Sequence, residues 1–209
     1  MADNASGLPA RGKTWFDGTT PPTTYQESTD IVGRVRSADD VDSTTGVASA
    51  QSKRSGRQVT LRLVRNVGAV ALAPSRVVTW ASGYIGRRVD GYCTVDHVRA
   101  AGVVDEHYGS GGIPVNDLGW LVVSGPCLVR MGLAAANPNI SEGDTLTALT
   151  AATSGATTSG RIQSFNVTSN PTLGNIAVLN RIGRAMSAAT TADTGSTLLV
   201  DVEILSGDV

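Results

Sequence analysis

Residues 143–163 read GDTLTALTAATSGATTSGRIQ, and residues 180–205 read NRIGRAMSAATTADTGSTLLVDVEIL. Both stretches consist mainly of threonine, alanine, serine and glycine, a composition that unstructured linkers share. Threonine, however, favours strands, and glycine favours tight turns and bulges. Residues 200–204, near the end of the second stretch, alternate aliphatic and acidic side chains, which is the period of a strand with one buried face. The two stretches therefore predict short strands joined by tight turns.

A similar alternation extends upstream as far as residue 58. QVTLRLVRN, residues 58–66, predicts a half-buried strand. Two more apolar runs are broken at Pro74, and GWLVVSGPCLVRM predicts two strands around a turn at residues 124–126. A helix of one or two turns is predicted only between Thr94 and Gly102. Many short strands separated by glycine and proline predict an all-β fold, either a small β-barrel or a β-sandwich.

Residues 1–57 differ in composition from the rest of the chain. They are polar, show no sustained period, and bury too little apolar surface to offset the entropy of ordering on their own. We therefore predict an extended N-terminal arm, residues 1–57, followed by a β-barrel domain, residues 58–209. The arm carries scattered side chains that suit docking on a partner, although a flexible leader without a binding role is an open alternative. The predicted anchors are Trp15, Phe16, Tyr25, Ile31, Val32, Arg34 and Arg36.

The composition limits the possible partners. The chain has 209 residues, of which 17% are charged, and its net charge is −1. Nucleic-acid binders and membrane-surface proteins normally depend on positive charge, so we expect neither kind of partner. The first residues contain no apolar segment typical of a secretion signal, and Cys93 and Cys127 predict buried thiols in a reducing compartment. We therefore expect a protein that is made in a cytoplasm and packs against other proteins.

Candidate catalytic and metal-binding residues are sparse. Asp96, His97 and Ser110 are the residue types of a hydrolase triad, but the chain contains no G-x-S-x-G elbow. Cys93, His97 and His107 are not spaced like common zinc ligands, and a fourth ligand is missing. We predict no catalytic residue, no metal and no cofactor, and hence a protein that is not an enzyme.

Three further segments resemble binding motifs only in part. DDVDSTTG, residues 39–46, lacks the glycine and the bidentate glutamate of a calcium loop, and GSGG, residues 109–112, lacks the lysine of a phosphate loop. Residues 79–93 interleave arginine with aromatic side chains, a pattern that can stack on bases. Because the net charge is −1, we favour packing in an interface or in the core for this segment.

The C-terminal half resembles the phage capsid decoration proteins, also called cement proteins. In that family a G-D-x-[LV] strand precedes a small-residue hairpin, an [IV]-G-x-A-x-x-A segment, a spacer with glycine, and a last aliphatic strand. The resemblance covers roughly residues 59–205, and residues 116–131 are similar to the family's middle strands. The residues of this chain that match the motif strands are Gly143, Asp144, Leu146, Ile182, Gly183, Ala185 and Gly195.

The resemblance implies a β-tulip-like barrel that forms homotrimers on the outer surface of a mature virus head. It implies binding to the major capsid protein at three-fold and quasi-three-fold positions, where the protein stabilises contacts between capsid subunits. Alternatives are another virion component, such as a head-fibre base or a tail protein, and, less favoured, a hydrolase. A carbohydrate-binding barrel would use Trp80 and Trp120 as exposed platforms, whereas we expect both rings to be buried.

Overall fold

The computed structural model describes residues 11–14, 31–40, 57–93, 100–132, 139–148, 160–164, 181–190 and 196–204. Ten strands, and no helix, are found within these ranges, which confirms the predicted all-β fold. The strands are β1 Val35–Asp39, β2 Gln58–Asn66, β3 Val77–Trp80, β4 Arg88–Tyr92, β5 Ala100–Val104, β6 Leu118–Arg130, β7 Thr145–Ala148, β8 Ile162–Ser164, β9 Arg181–Ala185 and β10 Thr197–Glu203.

Five of the strands close into a ring. β2 pairs with β4 in parallel, and the antiparallel pairs β4–β3, β3–β5, β5–β6 and β6–β2 complete the circuit. Closure removes open edges along the ring and encloses a core of aliphatic side chains. Trp120 on β6 is the largest fully buried side chain, so it is not an exposed platform, while Trp80 is only partly buried.

The remaining strands extend the sheet beyond the ring. The second half of β6 pairs with β10, and β9, β7 and β8 follow in that order. On the other side, β1 pairs with the first half of β2, from Val35 opposite Arg62 to Asp39 opposite Gln58. Part of the segment predicted as an arm therefore belongs to the sheet.

The turn predicted at residues 124–126 is wrong, because β6 runs through it as one strand of 13 residues. Gly125 has a φ of 95°, and Pro126 lies opposite Asp201 of β10. The register between β2 and β6 shifts between Thr60 and Leu61, close to the same point. Glycine and proline thus mark an irregularity within a continuous strand, as they often do at a bulge.

Two further predictions need correction. The end of the predicted helix is wrong: Ala100–Gly102 belong to β5, where Gly102 lies so close to β6 that a Cβ would sit 2.7 Å from Leu121 Cβ. Residues 94–99 lie outside the described ranges. β2 is not half-buried, because Val64 and Arg62 on its second face are buried as well. By contrast, the alternation predicted for β10 is confirmed, with Val202 buried between two more exposed acidic residues.

Candidate functional site

Of the four predicted anchors within residues 31–36, all except Arg34 pack against this chain's own barrel. Val32 is 5% exposed and Ile31 packs against the core. The guanidinium carbon of Arg36 lies 4.3 Å from the centroid of the Trp120 ring. Burial lowers the pKa of Arg36, which the carboxylate of Asp105 partly offsets. Arg34 is exposed, whereas the aromatic anchors Trp15, Phe16 and Tyr25 lie outside the described residues.

Residues 11–14 are held against the barrel by a buried ion pair. Arg11 donates to both carboxylate oxygens of Asp105, from Nε at 2.8 Å and from Nη2 at 3.1 Å. The Arg11 side chain is 11% exposed and that of Asp105 is fully buried. Arg11 also donates to the carbonyl of Asp39 at the end of β1. A bidentate contact of this kind fixes both the position and the direction of the guanidinium group. Residues 11–14, here called the arm root, are therefore held at one place on the barrel.

Tyr108 connects this root to the ring. Its hydroxyl accepts the backbone N–H of Trp120 at 2.6 Å and donates to the carbonyl of Lys13 at 3.2 Å. Burial raises the pKa of Tyr108 far above its ordinary value, so the group stays a neutral donor. Gly12 has a φ of 72°, and a Cβ there would lie 2.6 Å from His107 O. Only glycine allows this close approach of two backbones.

The residues proposed for catalysis do not form a described site. Asp96 and His97 lie outside the described residues, and Ser110 is exposed in a turn closed by a hydrogen bond between Gly112 N and Gly109 O. Burial raises the pKa of the Cys93 thiol to about 12, so this side chain is a poor nucleophile near neutral pH. No cluster of three or more histidine, cysteine or acidic residues suited to a metal ion occurs in the described part of the chain.

The residues of the C-terminal motif have structural roles where they are described. The Asp144 carboxylate accepts hydrogen bonds from Ser141 N at 2.9 Å and from Ser164 Oγ at 3.0 Å, which ties the turn before β7 to β8. Gly143 adopts a φ of 89° in this turn, and a Cβ on Gly183 would overlap the carbonyl oxygen of Asp201. The aliphatic members Leu146, Ile182 and Ala185 are buried in the core, and Gly195 lies outside the described residues.

A second group of arginines lies where β3, β6 and β8 meet. The carbonyl of Ser75, before Arg76, accepts the backbone N–H of Arg130 at 2.8 Å. The backbone N–H of Val77, after Arg76, donates to the carbonyl of Gly160, which precedes Arg161, at 2.8 Å. Burial lowers the pKa of Arg76, and the charges of Arg161 and Arg130 lower it further. Burial and the charge of Arg130 likewise lower the pKa of Arg161. These three side chains therefore repel one another.

The segment that interleaves arginine with aromatic residues comprises the end of β3, a surface turn at residues 81–87, and β4. Tyr84 is exposed, and the guanidinium carbon of Arg88 lies 4.1 Å from the centroid of its ring. Arg62 reaches the turn from β2, with its guanidinium carbon 5.8 Å from the centroid of the Trp80 ring. The sequence pattern alone does not distinguish packing in an interface from packing in the core, because the exposure of the turn depends on which neighbouring strands cover it.

No protein-family model matches the chain, and no curated protein matches it. Among the described residues, no helix has the length and apolar character needed to cross a bilayer.

Proposed function

We propose that this chain is a structural virion protein that decorates a capsid. It forms a homotrimer, binds the outside of the mature head at three-fold and quasi-three-fold positions, and stabilises contacts between subunits of the major capsid protein. The all-β fold with a five-stranded ring and the resemblance of the C-terminal strands support this function. In this proposal the protein is made in the host cytoplasm and acts on the outer surface of the virion.

The observation that carries the proposal is the fixation of residues 11–14 on the barrel. Arg11 is bound bidentately by the buried carboxylate of Asp105. The proposed aromatic anchors Trp15 and Phe16 follow residue 14 directly in the sequence. A segment whose root is already held loses less freedom on docking, and more of its contact energy then appears as affinity.

Binding of this kind would stabilise the shell through mass action. A ligand that binds only the mature shell lowers its free energy by RT ln(1 + [L]/Kd) at each site. A trimer can engage three neighbouring capsid subunits at once, which raises the effective concentration of the second and third contacts. The low charge of the chain, with a net value of −1, is compatible with dense packing on a protein surface.

The competing functions have less support from the described residues. A head-fibre base or tail component would also be a binding protein, and the resemblance of the C-terminal strands favours the decoration protein over it. A hydrolase would need free acidic and hydroxyl groups near one another. Asp105 instead holds Arg11, and Glu106 accepts the backbone N–H of Leu128 at 3.1 Å.

The test is a cryo-EM map of purified particles in which mass spectrometry detects this chain. We expect trimeric β-barrels at the three-fold and quasi-three-fold positions, with Trp15 and Phe16 in contact with capsid subunits. Particles from which the gene has been deleted serve as the control and should lack this density. Empty three-fold positions in the wild-type particle, with the chain in the tail or absent, would contradict the proposal.

A further inference from the structure

Three of the exposed large apolar side chains lie on one face of the barrel. Val35, Tyr84 and Ile85 are exposed by 51%, 47% and 52%. The turn before β1 touches the turn between β3 and β4, because a Cβ on Gly33 would lie 3.1 Å from the carbonyl oxygen of Gly86. Clustered exposed apolar side chains are a mark of interaction sites, whereas single ones are not.

Arginines surround this apolar patch. Residues 31–35, 65 and 80–90, which include the face, contain four arginines and one aspartate, a local excess of three positive charges. The whole chain has a net charge of −1, so the remaining residues carry −4. The arginines of the face are Arg34, Arg65, Arg87 and Arg88. This local excess of positive charge favours the approach of a negatively charged partner to this face.

The face is held in shape before any partner arrives. Tyr84 donates its backbone N–H to Ala81 O at 3.0 Å, and its own carbonyl accepts the N–H groups of Arg87 and Arg88, both at 3.1 Å. The backbone N–H of Arg65 on β2 bonds to Arg87 O at 3.0 Å and fixes the end of the turn to the ring. Such preorganisation lowers the entropic cost of docking.

The side chains of the face match a protein partner better than a nucleic acid. Tyrosine and arginine are enriched among the residues that dominate protein–protein binding energy. The exposed aliphatic side chains of Ile85 and Val35 gain nothing from phosphate groups, but they gain from burial in an apolar depression. The excess of arginine favours carboxylates around that depression, because arginine can pair with a carboxylate in a bidentate manner.

We propose that this face docks on an acidic protein surface with an apolar depression at its centre. The inference rests on the proposed function, under which the partner is the capsid shell. The shell then presents aspartate or glutamate side chains to Arg87 and Arg88, and Ile85 and Tyr84 fill the depression between them. This contact is additional to the one proposed for Trp15 and Phe16.

The experiment measures binding to purified shells that lack this protein, by co-sedimentation over a range of salt concentrations. We expect Arg87→Glu to lower the affinity at least about tenfold and to reduce its salt dependence, because it places like charges opposite each other. Arg184→Glu is the matched control: it makes the same charge change at an exposed position of β9 and should alter the affinity less than about twofold. Thermal unfolding confirms that both variants fold.

A photo-crosslinking residue at position 85 gives a second readout that needs no charge reversal. Irradiated particles should yield crosslinks from position 85, but not from position 184, to a capsid peptide rich in acidic residues. Wild-type affinity of Arg87→Glu, or crosslinks from position 85 only to another copy of this chain, would overturn the docking face while leaving the proposed function intact. Failure of the wild-type protein to bind shells would overturn both.

Discussion

Arginines occupy two opposite environments in this molecule. Arg11 is almost completely buried, and the two oxygens of Asp105 satisfy its charge. The second environment is the group Arg76, Arg130 and Arg161. In this group the charge of Arg130 lowers the pKa values of both Arg76 and Arg161. The first arrangement fixes a segment of the chain to the barrel. In the second, the guanidinium carbon of Arg76 lies 5.5 Å from the centroid of the Tyr92 ring, while the neighbouring positive charges act against its burial. The same side chain therefore contributes differently to stability in the two places, because its neighbours differ.

The largest effect is expected from removing the carboxylate that pairs with Arg11. Asp105→Asn should lower the free energy of unfolding by about 3 kcal/mol, because it leaves the buried guanidinium with only the more distant carboxylate of Asp40, whose Oδ1 lies 3.9 Å from Arg11 Nη1. Chemical denaturation measures the change. The control is Asp201→Asn, which removes a pair with Arg57 whose side chains are 42% and 32% exposed. That substitution should cost under about 1 kcal/mol, and equal effects would contradict the importance of burial.

An intermediate effect is expected from the hydroxyl that connects the arm root to β6. Tyr108→Phe should lower the free energy of unfolding by about 1–3 kcal/mol, because the buried N–H of Trp120 loses its acceptor. Hydrogen exchange of that amide gives a direct readout and should become faster. Tyr84→Phe removes a hydroxyl from an exposed ring and should change stability by less than about 0.5 kcal/mol. An unchanged Trp120 amide in Tyr108→Phe would refute the connection.

The smallest effect is expected from relieving the repulsion among the three arginines. Arg161→Gln should raise the free energy of unfolding by a few tenths of a kcal/mol at low salt, since solvent screens much of the interaction. The gain should disappear at about 1 M salt, where the Debye length is roughly 3 Å. Melting temperatures measured at both salt concentrations test this. A loss of stability at low salt would mean that Arg161 makes favourable contacts that outweigh the repulsion.

The sequence predicts local features better than long-range ones. The alternation in β10 is correct because period 2 depends only on neighbouring residues. The predicted turn at residues 124–126 is wrong because glycine and proline mark bulges as well as turns, and only the partner strand decides between them. The half-buried prediction for β2 is wrong because side chains on both faces of the strand are buried, which depends on what the rest of the chain packs against it and not on its own period.

The candidate site shows the same limit. Arg11 and Asp105 lie far apart in the sequence, and no local sequence pattern predicts their contact. Arg36 was predicted to contact a partner, but its guanidinium packs over Trp120 of its own barrel. The arginine and aromatic pattern of residues 79–93 did indicate an interface or core element, and the exposure of Tyr84 selects the surface. Residue types thus indicate which kinds of interaction are possible, whereas the fold determines which residues make them.

The long strand β6 also bears on how the chain folds. Its residues pair with β2 on one side and with both β5 and β10 on the other, so that Leu61 meets Val122 and Arg130 meets Thr197. Contacts between such distant residues slow folding into the range of milliseconds to seconds. During synthesis, the second half of β6 must wait with an open edge until β10 has been made. Several nascent chains translated from one mRNA lie close together. Their unpaired β6 edges can therefore pair with one another during that interval.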